Sequence, residues 1–83
     1  MKYTYTFRWL KVKCYNDPEC DQFVDADVPE VIIFTDEDIA LREAERILNL
    51  YNVRDVVAVN IYQNTNMLTP IDTIIHKDWI PRK

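Results

Sequence analysis

"KYTYTFRWLKVKC", residues 2–14, decides how the rest of the chain must be arranged. Tyr3, Tyr5, Phe7 and Trp9 alternate with Thr4, Thr6 and Arg8. That period of two, built from residues that favour extended backbone, predicts a long strand. After Trp9 the phase reverses, with Leu10, Val12 and Cys14 apolar and Lys11 and Lys13 polar. Slipping by one residue exchanges the two faces of a strand, so the reversal predicts a bulge.

After this strand, "YNDPE" at 15–19 is expected to turn the chain. "QFVDADV" at 22–28 alternates again, with Val24, Ala26 and Val28 on one face and Asp25 and Asp27 on the other. It reads as a second strand antiparallel to the first, with Pro29 at its end or on an edge. "FTDEDIALREAERILNLYN" at 34–52 is the helix. Thr35 is the expected N-cap, Asp38 completes a capping box, and Phe34 and Ile39 have the spacing of a hydrophobic staple. Ile39, Ala40, Ala44, Ile47, Leu48 and Tyr51 form the apolar stripe, and Asn52 supplies a left-handed C-cap. "VRDVVAVNIYQ" at 53–63 is apolar on both faces, as a central strand is, and residues 67–76 make a fourth strand.

The expected fold is therefore one α+β domain spanning 1–83, in the order ββαββ, with a mainly antiparallel four-stranded sheet and one helix on one face. The preferred strand order is 2-1-3-4, because the first and third strands carry the most apolar side chains. The alternative, 1-2-3-4, needs a right-handed crossover to a parallel contact. A single helix leaves the second sheet face open. That face, with Val56, Tyr62 and Ile74, and Trp79 in the tail, becomes the expected apolar contact surface for a partner or a second copy.

Composition removes several function classes. The chain has no glycine, so it carries neither a phosphate-binding loop nor a dinucleotide-binding turn. Left-handed positions fall to Asn16, Asp17, Asn52, Asn64 and Asn66. There is no serine, which removes a Ser-His-Asp triad, and His76 is the only histidine. Cys14 and Cys20 flank a hairpin loop and read as reduced thiols. A disulfide in an oxidising compartment, or a metal site completed by Asp17 or Asp21 and His76, are the alternatives. No catalytic residue, metal or cofactor is expected. The opening residues lack the apolar run of a signal peptide and no stretch is long enough to span a membrane, which points to the cytoplasm.

Charge is the most informative feature. Residues 1–13 hold four basic residues and no acid. Residues 17–38 hold nine acids and no base: Asp17, Glu19, Asp21, Asp25, Asp27, Glu30, Asp36, Glu37 and Asp38. Such a block repels nucleic acid and anionic membranes, and suits a protein partner with a basic surface. The bland reading is a solvated face plus favourable charges at the helix start.

In size, acidity and ββαββ order the chain resembles the small phage-encoded proteins that inhibit bacterial defence systems, anti-CRISPR proteins among them. The resemblance implies a stoichiometric inhibitor or adaptor, acting in the bacterial host cell, that covers a nucleic-acid-binding surface of a host protein. It carries over no catalytic residue. The other expected function is a structural homodimer joined through the open sheet face or an edge strand.

Overall fold

The computed structural model describes residues 1–13, 22–64 and 67–79. Along the chain run β1 (Lys2–Val12), β2 (Phe23–Asp25), β3 (Val31–Asp36), α1 (Glu37–Leu48), β4 (Ala58–Gln63) and β5 (Asp72–Ile75). All strand pairs are antiparallel, in the order β2-β1-β4-β5, with β3 also paired to β1. The α+β class is as expected, and the expected 2-1-3-4 order has its counterpart in β2-β1-β4-β5. The additional element is β3. The second strand is only three residues long, and the chain returns to β1 as a separate six-residue strand.

β1 is not bulged. It keeps one continuous register with β4 from Tyr5↔Gln63 to Leu10↔Ala58. The irregularity lies in its neighbours. β2 pairs Leu10 with Asp25, β3 pairs Phe7 with Val31, and the intervening residues leave the ladder. The change of apolar phase along β1 marks a change in which face is covered. Tyr5, Phe7 and Trp9 join Val56, Val59, Ile61, Ala40, Ala44 and Leu48 in the core beneath α1. Leu10 and Val12 join Val57 and Ala58 in a second cluster, closed by Phe23, Val53 and Trp79. The Phe23 and Trp79 rings meet edge to face at 6.1 Å. The face away from the helix is thus covered at the β2 end and left open at the β3 end.

The buried face of the helix is formed by two alanines and a leucine. Ala40, Ala44 and Leu48 are spaced four apart and lie on one side. They sit over the aromatic row of β1, in which Phe7 and Trp9 meet edge to face at 6.1 Å. Trp9 also packs on Tyr51 and donates its Nε1–H to the Pro29 carbonyl at 3.1 Å, so its polar atom is satisfied in the core.

The helix ends differ from expectation. Thr35 belongs to β3, opposite Tyr3, and the N-cap is Asp36 without a side-chain capping bond. Phe34 and Ile39 are both exposed, so no staple forms. The C-cap is Asn49 in a right-handed conformation. Asn52 instead caps the following turn, its Oδ1 accepting the Arg54 N–H at 2.9 Å. Among the described residues the one left-handed position is Asn64. Asn16, Asp17 and Asn66 lie outside the described residues.

Candidate protein-docking surface

β1 carries its even-numbered side chains to the face away from α1, and the register assigns their neighbours. Thr4 faces Phe34, Thr6 faces Ile32 and Tyr62, and Arg8 faces Asn60. β5 adds Thr73 beside Asn60 and Ile75 beside Ala58. Among the described residues no helix covers this end of the face. Ile32 and Phe34 remain 66% and 68% exposed, large values for apolar residues on a strand, and Ile75 is also exposed.

A polar line crosses the centre of the face. Thr73 donates its hydroxyl to Asn60 Oδ1 at 2.6 Å, and Asn60 Nδ2 donates to the Tyr62 hydroxyl at 3.3 Å. The Arg8 guanidinium lies over the Tyr62 ring, 5.6 Å from its centroid, which explains how a side chain on the open face is only 5% exposed. Arg8 Nε also donates to Glu30 Oε2 at 3.0 Å. That hydrogen bond, more than any other influence, holds the guanidinium above its ordinary pKa range.

Of the apolar contact residues expected from sequence, the face offers little. Val56 is wholly buried beneath α1 and Ile74 packs against the same core. The chain reaches β4 only at Ala58, so the alternation extrapolated back to Val56 and Val57 is inverted: Val56 lies on the helix side and Val57 in the opposite cluster. Tyr62 is covered by Arg8, and Trp79 is half-buried over Phe23. Ile32, Phe34 and Ile75 take their place. A signal for them was present in "VIIF" at 31–34, four consecutive apolar residues, with one helix among the described residues to cover them.

The acidic block is less bare in space than in sequence. Lys11 pairs with Asp27 at 3.3 Å, Arg8 with Glu30 at 3.0 Å, and the Met1 amine with Asp36 at 3.2 Å. Strand β1, the basic segment, lies beside the acids and neutralises part of them. Asp38 lies 3.9 Å from Arg42 one helical turn on, and Glu37 is exposed at the helix start. Asp25 and Asp27 do not share a face. Asp25 sits opposite Leu10 on the open side, whereas β2 has ended before Asp27, which reaches Lys11. Asp17, Glu19 and Asp21 lie outside the described residues, as do Cys14 and Cys20.

Two shallow recesses flank the β2–β3 excursion. One, about 260 Å³, is lined by Arg8, Trp9, Asp25, Ala26, Val28 and Glu30, and the other, about 340 Å³, by Lys11, Asp27, Val28, Tyr51, Arg54 and Asp55. Neither contains a histidine or a cysteine. His76 is 2% exposed and structural: its Nε2–H donates to the Tyr51 carbonyl at 2.8 Å, and its Nδ1 accepts the Asp78 N–H at 3.0 Å. Only the neutral Nε2–H tautomer satisfies both bonds. Asn49 Oδ1 accepts the Lys77 N–H nearby, so the turn after β5 is tied to the end of α1. No helix among the described residues is long and apolar enough to cross a membrane. Comparison with protein-family models, curated proteins and solved structures gives no match.

Proposed function

We propose that this protein is a non-catalytic binding module that docks its open sheet face on a protein partner with a basic surface, as a stoichiometric inhibitor or adaptor. The observation that carries the reading is the pair Ile32 and Phe34, exposed side by side on one strand. Around them the same side of the sheet presents Asp25, Glu30 and Asp36. An apolar centre with a charged rim is the anatomy of a protein–protein contact. The acids would steer encounter with a basic patch and favour it over other surfaces, while the two large apolar side chains would anchor the complex. The likeness in size and acidity to phage-encoded inhibitors of bacterial defence systems favours, as partner, a host protein whose basic surface binds nucleic acid.

The test is capture from bacterial lysate followed by affinity measurement with the protein recovered. Phe34→Ala and Asp25→Lys both alter the open face and should each weaken binding at least tenfold, the second most strongly at low salt. Arg46→Glu, on the exposed helix surface, should bind as the parent does. A partner that binds both face variants as tightly as the parent would remove this face from the interface.

A further inference from the structure

The edge of β3 carries an inference that goes beyond docking by the open face. β3 pairs with β1 on one side, and among the described residues no strand pairs with its other side. The register tells which backbone groups are left there. Asn64 N–H donates to the Thr4 carbonyl, across to the β4 side, and Ala26 N–H donates to the Trp9 carbonyl, across to the β2 side. In an antiparallel ladder successive residues direct their backbone groups alternately to the two neighbours. Even residues of β1 therefore bond towards β4, and odd ones towards β2 and β3. Val31, Ile33 and Thr35, opposite Phe7, Tyr5 and Tyr3, spend their backbone groups on β1. Ile32 and Phe34 turn theirs to the free edge.

We propose that this edge is a homodimerisation strand, in which β3 of two copies pairs antiparallel about a twofold axis through Ile33. Ile32 then stands opposite Phe34 of the partner subunit, and the N–H and C=O of both residues are satisfied in each copy. Two further features favour pairing of this edge with itself. The exposed Ile32 and Phe34 side chains become cross-strand neighbours, a β-branched residue against an aromatic one. Glu30 and Asp36, which border the strand, come to face each other across the axis as like charges, a cost reduced by the cation each already holds, Arg8 and the Met1 amine. Residues 31–36 also contain no lysine, proline or bulge of the kind that protects a sheet edge from pairing. The opposite edge, β5, is four residues long and begins with an exposed aspartate. Pairing through β3 would extend one sheet across both copies and join their two open faces into one surface.

The experiment is light scattering across a concentration series, with amide hydrogen exchange read at Ile32 and Phe34. A mass approaching twice the 10.0 kDa of one chain is expected. The Ile32 and Phe34 amides should become protected as concentration rises, and the Ile33 amide should be protected throughout. Ile32→Pro removes only an outward N–H, so it should give a folded monomer, whereas Ile33→Pro removes a bond to β1 and should unfold. Each copy carries a net charge of −4, so added salt should tighten the dimer while weakening docking on a basic partner, which keeps the two readings separable. Wild-type protein that stays monomeric at every concentration overturns the proposal. So does a dimer in which the Ile32 and Phe34 amides exchange freely, a readout that stands even if the proline variants fail to fold.

Discussion

Replacing Tyr5 by phenylalanine should stabilise this protein. Tyr5 is wholly buried beneath the helix, and its hydroxyl has no hydrogen-bond partner among the described residues. A buried hydroxyl left without a partner costs about 1–3 kcal/mol, which Tyr5→Phe removes. The vacated space is of the order of 10 Å³, which at about 24 cal/mol per Å³ returns only some 0.2 kcal/mol of destabilisation. The net gain is about 1–3 kcal/mol, with Tm rising roughly 4–8 °C for each kcal/mol in a domain of this size. Urea titration should move the midpoint upward with an unchanged slope. The difference should widen in alkali. Burial, aided by Glu37, Tyr3, Asp36 and Asp38, raises the Tyr5 pKa above its ordinary 10.0. The unfolded chain therefore releases this proton first, and the parent loses stability as the pH rises past about 10, through a window the variant does not possess. A variant less stable than the parent by 1 kcal/mol or more would instead show that the hydroxyl makes a bond in the folded protein.

Three other substitutions probe the fold independently. His76→Phe leaves the Tyr51 carbonyl and the Asp78 N–H without partners and should cost about 2–3 kcal/mol by denaturant titration. Asp36→Ala should change stability by no more than about 0.5 kcal/mol, because no side-chain cap is lost and the ion pair with the Met1 amine is exposed. Ala44→Leu keeps helix propensity but places a large side chain against the β1 aromatic row, and should cost about 1–3 kcal/mol with a lowered Tm.

The parts of the fold legible in the sequence are those where a single periodicity speaks. Alternation along β1 and the apolar richness of β4 placed both in the middle of the sheet, and the stripe through Ala40, Ala44 and Leu48 gave the helix and its buried side. β3 was hidden because "VIIF" has no alternation: Val31 and Ile33 face the core while Ile32 and Phe34 are apolar and exposed. The cap moved by one residue because Thr35 and Asp36 are both competent caps, and the pairing of Thr35 with Tyr3 decides between them. Charge was readable as composition but not as geometry. Arg8 and Glu30 are 22 residues apart, and only the register of β1 against its neighbours brings them together. His76 has one partner two residues on, the Asp78 N–H, but the other, the Tyr51 carbonyl, lies 25 residues away and no local pattern announces it.

β1 precedes all three of its partner strands in the chain and is completed only when β4 joins it. It borders β2, β3 and β4, so residues 2–12 form the spine against which nearly every other element is laid. During synthesis at roughly 5–20 residues per second, the strand waits several seconds for β4 to emerge. Its aromatic row meanwhile lacks Val59 and Ile61, and its even residues lack the ladder that Ala58–Gln63 supply. Such distant pairing slows folding, because a long loop must close before any contact rewards it. Until β4 emerges the nascent chain has only α1 to cover Tyr5, Phe7 and Trp9, and shortening that wait should raise the yield of folded protein. A circular permutant that places residues 58–79 ahead of β1 would deliver β4 first.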